Sequence, residues 1–127
     1  MREILFRGKI FEKDQWVYGK LINGQGEKET YYILPEYETD FYAVKVEPET
    51  IGQYTGKVDA DGKRIFEGDV LKIMLYGKNL KVVWWQALCG FGLNDKDEKG
   101  LLFMNEIHSN AVVVVGNIYD NSELMEE

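Results

Sequence analysis

Gln53-Tyr54-Thr55-Gly56-Lys57-Val58-Asp59-Ala60-Asp61-Gly62-Lys63-Arg64-Ile65-Phe66-Glu67-Gly68-Asp69-Val70-Leu71-Lys72-Ile73-Met74-Leu75-Tyr76 is the stretch that decides the fold. Asp61-Gly62 is a tight-turn pair, because glycine takes a positive φ without steric cost and aspartate tolerates one. Gly68-Asp69 is a second turn and opens a β-run. Within that run Leu71, Ile73 and Leu75 fall on one face of a period-2 strand, with Lys72 opposite. Two turns around Ile65-Phe66, followed by a strand with one apolar face, describe a small sheet folding back on itself.

Working outward, the N-terminal half offers short β candidates. Residues 3–11 come first, with Ile4 and Phe6 sharing a face. Trp16–Ile22 is rich in the aromatic and branched residues that suit a pleated surface. Asn23-Gly24 is a strong hairpin signal. Thr30–Leu34 and Phe41–Val46 follow, each closed by a proline, Pro35 or Pro48, which cannot donate to a ladder. On the C-terminal side, Leu80–Leu88 and Ala111–Val115 are apolar on both faces, as in strands covered twice. Gly90-Phe91-Gly92 is expected to loosen the chain, Asn94–Gly100 reads as a charged loop, and Leu101–Met104 as a short strand or turn. The end, from Asn121, has room for one capped helical turn.

The central stretch also carries a resemblance. Gln53-Tyr54-Thr55-Gly56, the Asp61-Gly62 turn, and Ile65-Phe66-Glu67-Gly68-Asp69-Val70 resemble the signature of the YopX family of phage and prophage proteins. Met1–Arg7 agrees with it. So do Pro48–Gly52 and the closing run Val115–Leu124, which holds Gly116, Asn117 and Tyr119. Ser122 departs from the proline common there, which touches only a turn. The resemblance spans essentially the whole chain. It implies a largely β protein whose C-terminal half looks like a small SH3-like barrel, and no settled biochemical activity.

The expected fold is therefore mainly β, a single unit over residues 1–127 in two small lobes. The N-terminal β lobe covers about residues 1–52 and the SH3-like barrel lobe about 53–127. The chain has 127 residues, 45% of them hydrophobic and 13% aromatic, enough for a packed core rather than a disordered one. Twenty-two acidic residues against 15 basic ones give a net charge of −7. That balance opposes non-specific attraction to nucleic acid or to anionic membranes. No stretch has a signal peptide's apolar core or the ~20 apolar residues of a membrane span, and we expect a cytoplasmic protein, in a bacterial host if phage-encoded.

Chemical motifs are few. Asp59-Ala60-Asp61-Gly62 has a calcium-loop flavour, but Lys57 and Gly68 occupy the positions that need a first acid and a bidentate glutamate. Cys89 is the only cysteine, which excludes an intramolecular disulfide and reads as a small hydrophobe at a strand end. His108, beside Ser109-Asn110, reads as a turn residue, and no partner motif makes it a base for Cys89. The glycines form no phosphate-binding loop. No catalytic, metal or cofactor residue is expected.

Two binding readings remain. Residues 53–94 carry Lys57, Lys63, Arg64, Lys72, Lys78 and Lys81 against Asp59, Asp61, Glu67 and Asp69, a local excess of two positive charges. Beside Tyr54, Tyr76 and Trp84 or Trp85 as stacking platforms, this suits single-stranded nucleic acid on a small barrel. Alternating lysines also discourage edge-to-edge aggregation, and that reading is preferred. The apolar two-sidedness of residues 80–88 and 111–115 favours burial against a protein partner or a second copy. The functional expectation is thus a non-enzymatic binding protein, with Lys63, Arg64, Trp84 and Trp85 as the tentative surface. A homo-oligomer or a host or phage protein ranks ahead of nucleic acid as its partner.

Overall fold

The computed structural model describes residues 2–24, 30–36, 42–74 and 77–126. Among them the regular structure is β-strand and short 3-10 turns, with no α-helix. Contacts divide the chain into two units, Met1–Tyr54 and Thr55–Glu127.

The first unit is an antiparallel meander. Its strands are β1 (Phe6–Lys9), β2 (Trp16–Asn23), β3 (Tyr31–Pro35) and β4 (Val44–Val46). They lie in the order β4-β3-β2-β1, and β1 pairs on its other side with the start of β5 (Gly52–Val58), Phe6 opposite Gln53 and Arg7 opposite Gly52. Leu5, Ile33 and Val46 are buried, and Arg7 is buried with its guanidinium 4.7 Å from the centre of the Trp16 ring. The inward face here differs from the one expected. Leu5 is buried and Ile4 lies out in solvent, so the register of β1 is one residue off the alternation Ile4–Phe6 suggested. Nor does Asn23-Gly24 make a two-residue turn. Asn23 is still in β2, paired with Tyr31, and the Gly24 amide donates to the carbonyl of Thr30 at 2.6 Å, so the chain does not reverse at these two residues. Phe41 lies outside the described residues. Pro35 ends β3 from within, and Pro48 opens a 3-10 turn, Pro48–Thr50.

The second unit holds the rest of β5 beside β6 (Arg64–Phe66), and a five-stranded antiparallel sheet. That sheet comprises β7 (Asp69–Ile73), β8 (Asn79–Trp85), β9 (Gly90–Asn94), β10 (Gly100–Phe103) and β11 (Val112–Asn117), in the order β10-β9-β8-β7-β11. Its core is Ile65, Leu71, Ile73, Leu80, Val82, Leu93, Met104, Ile107 and Val112, with Phe91, Leu102 and Val114 packed against it. Leu71 and Ile73 face in and Lys72 faces out, as period 2 requires; Leu75 and Tyr76 lie outside the described residues. Among the described residues β10 and β11 each pair on one side only, so the SH3-like barrel is not realised as a closed barrel. Gly90-Phe91-Gly92 does not loosen the chain either. It is most of β9, with Gly92 directly beneath the Trp85 ring.

Asp61, Gly62, Glu67, Gly68, Asn117 and Tyr119 of the signature lie in or beside the turns of this unit, while Gln53 pairs with Phe6 in the first. Asp59 is buried. Its Oδ1 accepts from the amides of Asp61 and Lys63, both at 2.9 Å, and its Oδ2 from the amide of Val114 at 3.0 Å. Burial pushes this carboxyl's pKa up. The three amides, with the charge of Lys63, outweigh that and hold it below the usual carboxylate range. The calcium-like motif is thus a turn whose acid is spent on backbone amides. Gly62 within it has φ +81°, and Gly68, at φ +93°, receives the next turn. Its amide donates to Val82 and its carbonyl accepts from Ile118. Asp69, also buried, accepts from the Phe66 amide at 2.8 Å, and Thr55 donates to the carbonyl of Ile65 at 2.8 Å. Asn117 Oδ1 takes the amides of Tyr119 and Asp120 at 3.0 and 2.8 Å. Gly56, at φ +91°, lies in β5, and Glu67 is half-buried in the turn before β7.

An aromatic groove at the end of β8

Strand β8 alternates. Leu80 and Val82 point into the core, and Trp84 continues that face beyond the point where the core ends. Its ring meets Phe91 edge-on, with centroids 5.0 Å apart, and its Nε1 donates to Gln86 Oε1 at 2.9 Å. These contacts fix the indole, yet 42% of the residue remains exposed. Lys81, Val83 and Trp85 take the opposite face. There Trp85 lies over β9 and β10, on two glycines. A Cβ on Gly92 would fall 2.5 Å from Trp85 Cδ2, and one on Gly100 2.7 Å from Cζ2. Its Nε1 donates to Asn94 Oδ1 at 2.8 Å and its ring packs edge-on against Phe103 at 4.8 Å. Asn94 Nδ2 in turn donates to Glu98 Oε2 at 3.3 Å, and Glu98 pairs with Lys81. The Lys81 contact, joined by the Asn94 bond, holds the Glu98 carboxyl below its ordinary range against a burial effect that raises it.

After Trp85 the chain turns through a 3-10 segment, Gln86–Leu88, and Cys89 follows in the left-handed region at φ +50°. Between that turn and β10 opens a groove of about 670 Å³. Its lining is Trp84, Trp85, Gln86, Ala87, Leu88, Gly100, Leu101, Leu102, Phe103 and Glu106. Leu88 and Leu101 are 60% and 42% exposed, so together with Trp84 they form an apolar lip open to solvent. Among the described lining residues only Glu106 carries a charge, and its Oε1 accepts from the Phe103 amide at 3.3 Å. The groove can therefore offer apolar area, indole surface and one negative charge.

Of the tentative surface, the fold brings Trp84 and Trp85 to this groove but neither Lys63 nor Arg64. Lys63 is exposed beside the Asp61-Gly62 turn and Arg64 is half-buried at the start of β6, in the other sheet. Other cations of the 53–94 stretch have local partners: Lys57 donates to the carbonyl of Ile107 and Lys81 pairs with Glu98. The valine run is mostly consumed inside the unit, Val112 in the core and Val114 packed on it, with Val115 exposed. Cys89 is exposed rather than a buried small hydrophobe, because the tight turn throws it outward. His108 is exposed at the start of a 3-10 turn, Ser109–Ala111. Leu88 closes the 80–88 run expected to be covered by a partner, whereas Leu101 lies outside every expected surface. Their strands and turn end in ordinary apolar residues, and no local pattern marks which of those stay uncovered.

Among the described residues no cluster of His, Cys, Asp or Glu could hold a metal ion, and no helix is long and apolar enough to cross a membrane. No curated protein matches the chain. The crystal structure of protein EF1440 from Enterococcus faecalis is similar over 98% of this chain and 99% of its own, with a TM-score of 0.63 at 19% identity, a likeness of fold. A family model described as "YopX protein" matches residues 5–126. The chain belongs to the YopX family.

Proposed function

We propose that this YopX protein is a non-enzymatic binding protein that engages a protein partner through the groove at the end of β8. The observation that carries the proposal is Trp84. Two contacts hold its indole in place while 42% of the residue stays in water, beside Leu88 and Leu101. An ordered, solvent-facing tryptophan is the kind of residue that anchors a binding hot spot, and the exposed leucines beside it widen the apolar patch. Expected partners are a host or phage protein or a second copy of the chain. Single-stranded nucleic acid ranks behind both, because Glu106 lines the groove and would oppose a phosphate backbone.

The test is affinity purification of the tagged chain from host cells, run side by side with Trp84→Ala. A protein retained by the parent and lost from the variant supports the reading; identical sets of retained proteins refute it. Light scattering at micromolar concentration separates the two kinds of partner. An oligomer that Trp84→Ala dissolves assigns the groove to self-assembly, and a 14.7 kDa species leaves it to a different protein.

A further inference from the structure

We infer that the groove takes a segment of a different protein in which an apolar anchor side chain is flanked by an arginine or lysine. This rests on the protein-binding reading above and adds the chemistry of the partner. The anchor follows from the lip of Trp84, Leu88 and Leu101. The cation follows from charge. Glu106 is the charged group among the described lining residues, and its side chain stands at the exposed rim of the groove. An arginine fits both features, since its guanidinium can stack on an indole and bond a carboxylate at once.

Charge also argues against a second copy. Each chain carries −7, and a two-fold contact across this groove would bring the Glu106 carboxylates of two acidic chains into one interface. The edge of β10 argues for recognition by side chains rather than by strand addition. The strand is short, its pairing with β9 shifts between Gly100 and Leu102, and the Phe103 amide is already taken by Glu106. Irregularities of this kind blunt an edge against another strand.

The experiment pans a displayed library of random dodecapeptides on the full-length chain. Enriched peptides are expected to place Trp, Phe, Leu or Met beside Arg or Lys. A synthetic copy of one should bind Glu106→Gln roughly fivefold more weakly, the size of one exposed charge contact. That variant removes the charge but keeps an acceptor for the Phe103 amide. Affinity should also fall as salt rises from about 50 to about 500 mM. Peptides without a basic excess, lost on Trp84→Ala but indifferent to Glu106→Gln, would overturn this inference and leave the protein-binding reading standing. No enrichment, or equal binding to Trp84→Ala, would refute both. A dimer that the peptide displaces, or a single-stranded oligonucleotide that displaces the peptide, would give the groove to another occupant and overturn the inference.

Discussion

Gly92→Ala tests whether the two-glycine seat of Trp85 is what shapes the groove. The new methyl would sit 2.5 Å from Trp85 Cδ2 and nearer still to two other ring atoms. Carbon atoms pack at about 3.5–4.0 Å, so the indole must lift by about 1 Å. A lift of that size stretches the 2.8 Å bond from Nε1 to Asn94 past useful length and disturbs the edge contact with Phe103. Losing the bond costs about 1 kcal/mol, and the aromatic pair is worth about 0.5–1.5 kcal/mol. Against these, alanine restricts the unfolded chain and returns about 0.4–1 kcal/mol. The net expectation is a loss of about 1–2 kcal/mol in urea unfolding, with a red shift of tryptophan emission. The decisive measurement is the double-mutant cycle with Trp85→Ala, in which the Gly92→Ala cost should vanish or reverse sign. A Gly92→Ala protein as stable as its parent, or a cost unchanged when Trp85 is absent, would refute the reasoning.

Three further outcomes follow from the second unit. Asp59→Asn should cost about 2–4 kcal/mol, because the amide's NH₂ end must face a backbone N–H where a carboxylate oxygen accepted one. The Asp59 pKa is lowered in the folded state, so its stabilisation is complete above the unfolded value of about 4 and is lost as pH falls through the folded one. Urea midpoints of the parent should therefore drop more steeply below about pH 4 than those of Asp59→Asn; equal slopes would contradict this. Ile73→Ala, at a core position 4% exposed, should lower unfolding free energy by about 2–5 kcal/mol by calorimetry or urea, while Lys72→Ala stays within about 0.5 kcal/mol. Gly116→Ala sets a methyl 2.5 Å from Asn121 Oδ1 and 2.8 Å from Leu124 Cδ1, and should speed amide exchange across the Ser122–Met125 turn without unfolding the sheet.

The parts of the fold legible in the sequence are those decided locally. Gly62 and Gly68 need positive φ, and the residues between and after them can then do little but form β6 and β7. Alternation placed Leu71 and Ile73 inside for the same reason. What failed was decided by other strands. Asn23-Gly24 carries the right dipeptide for a two-residue turn, but β2 pairs with β3 up to Asn23–Tyr31, which moves the turn out of that pair. Gly90 and Gly92 look like a loosening because a lone glycine weakens a strand. Here the strand needs Gly92, since Trp85 occupies the space its side chain would fill, while Gly90 makes only ordinary contact with Phe103.

The groove shows the same limit where it bears on function. Trp84 and Trp85 are neighbours of identical chemistry, and composition treats them as one feature. Period 2 sends them to opposite faces, but it says nothing of which face is covered there. Coverage is set at a distance in sequence. Gly92 and Gly100 open a seat for Trp85, while the core that holds Leu80 and Val82 stops short of Trp84. The exposed tryptophan is therefore a product of sheet order, not of its own neighbours. Lys63 and Arg64 were grouped with it on local charge, and topology separated them by placing β6 and β8 in different sheets. A binding surface in a small β protein is assembled from the ends of strands, so its members share no sequence period. The single acid among the described lining residues, Glu106, comes from the turn after β10, and only the folded sheet sets it beside the indole-lined wall.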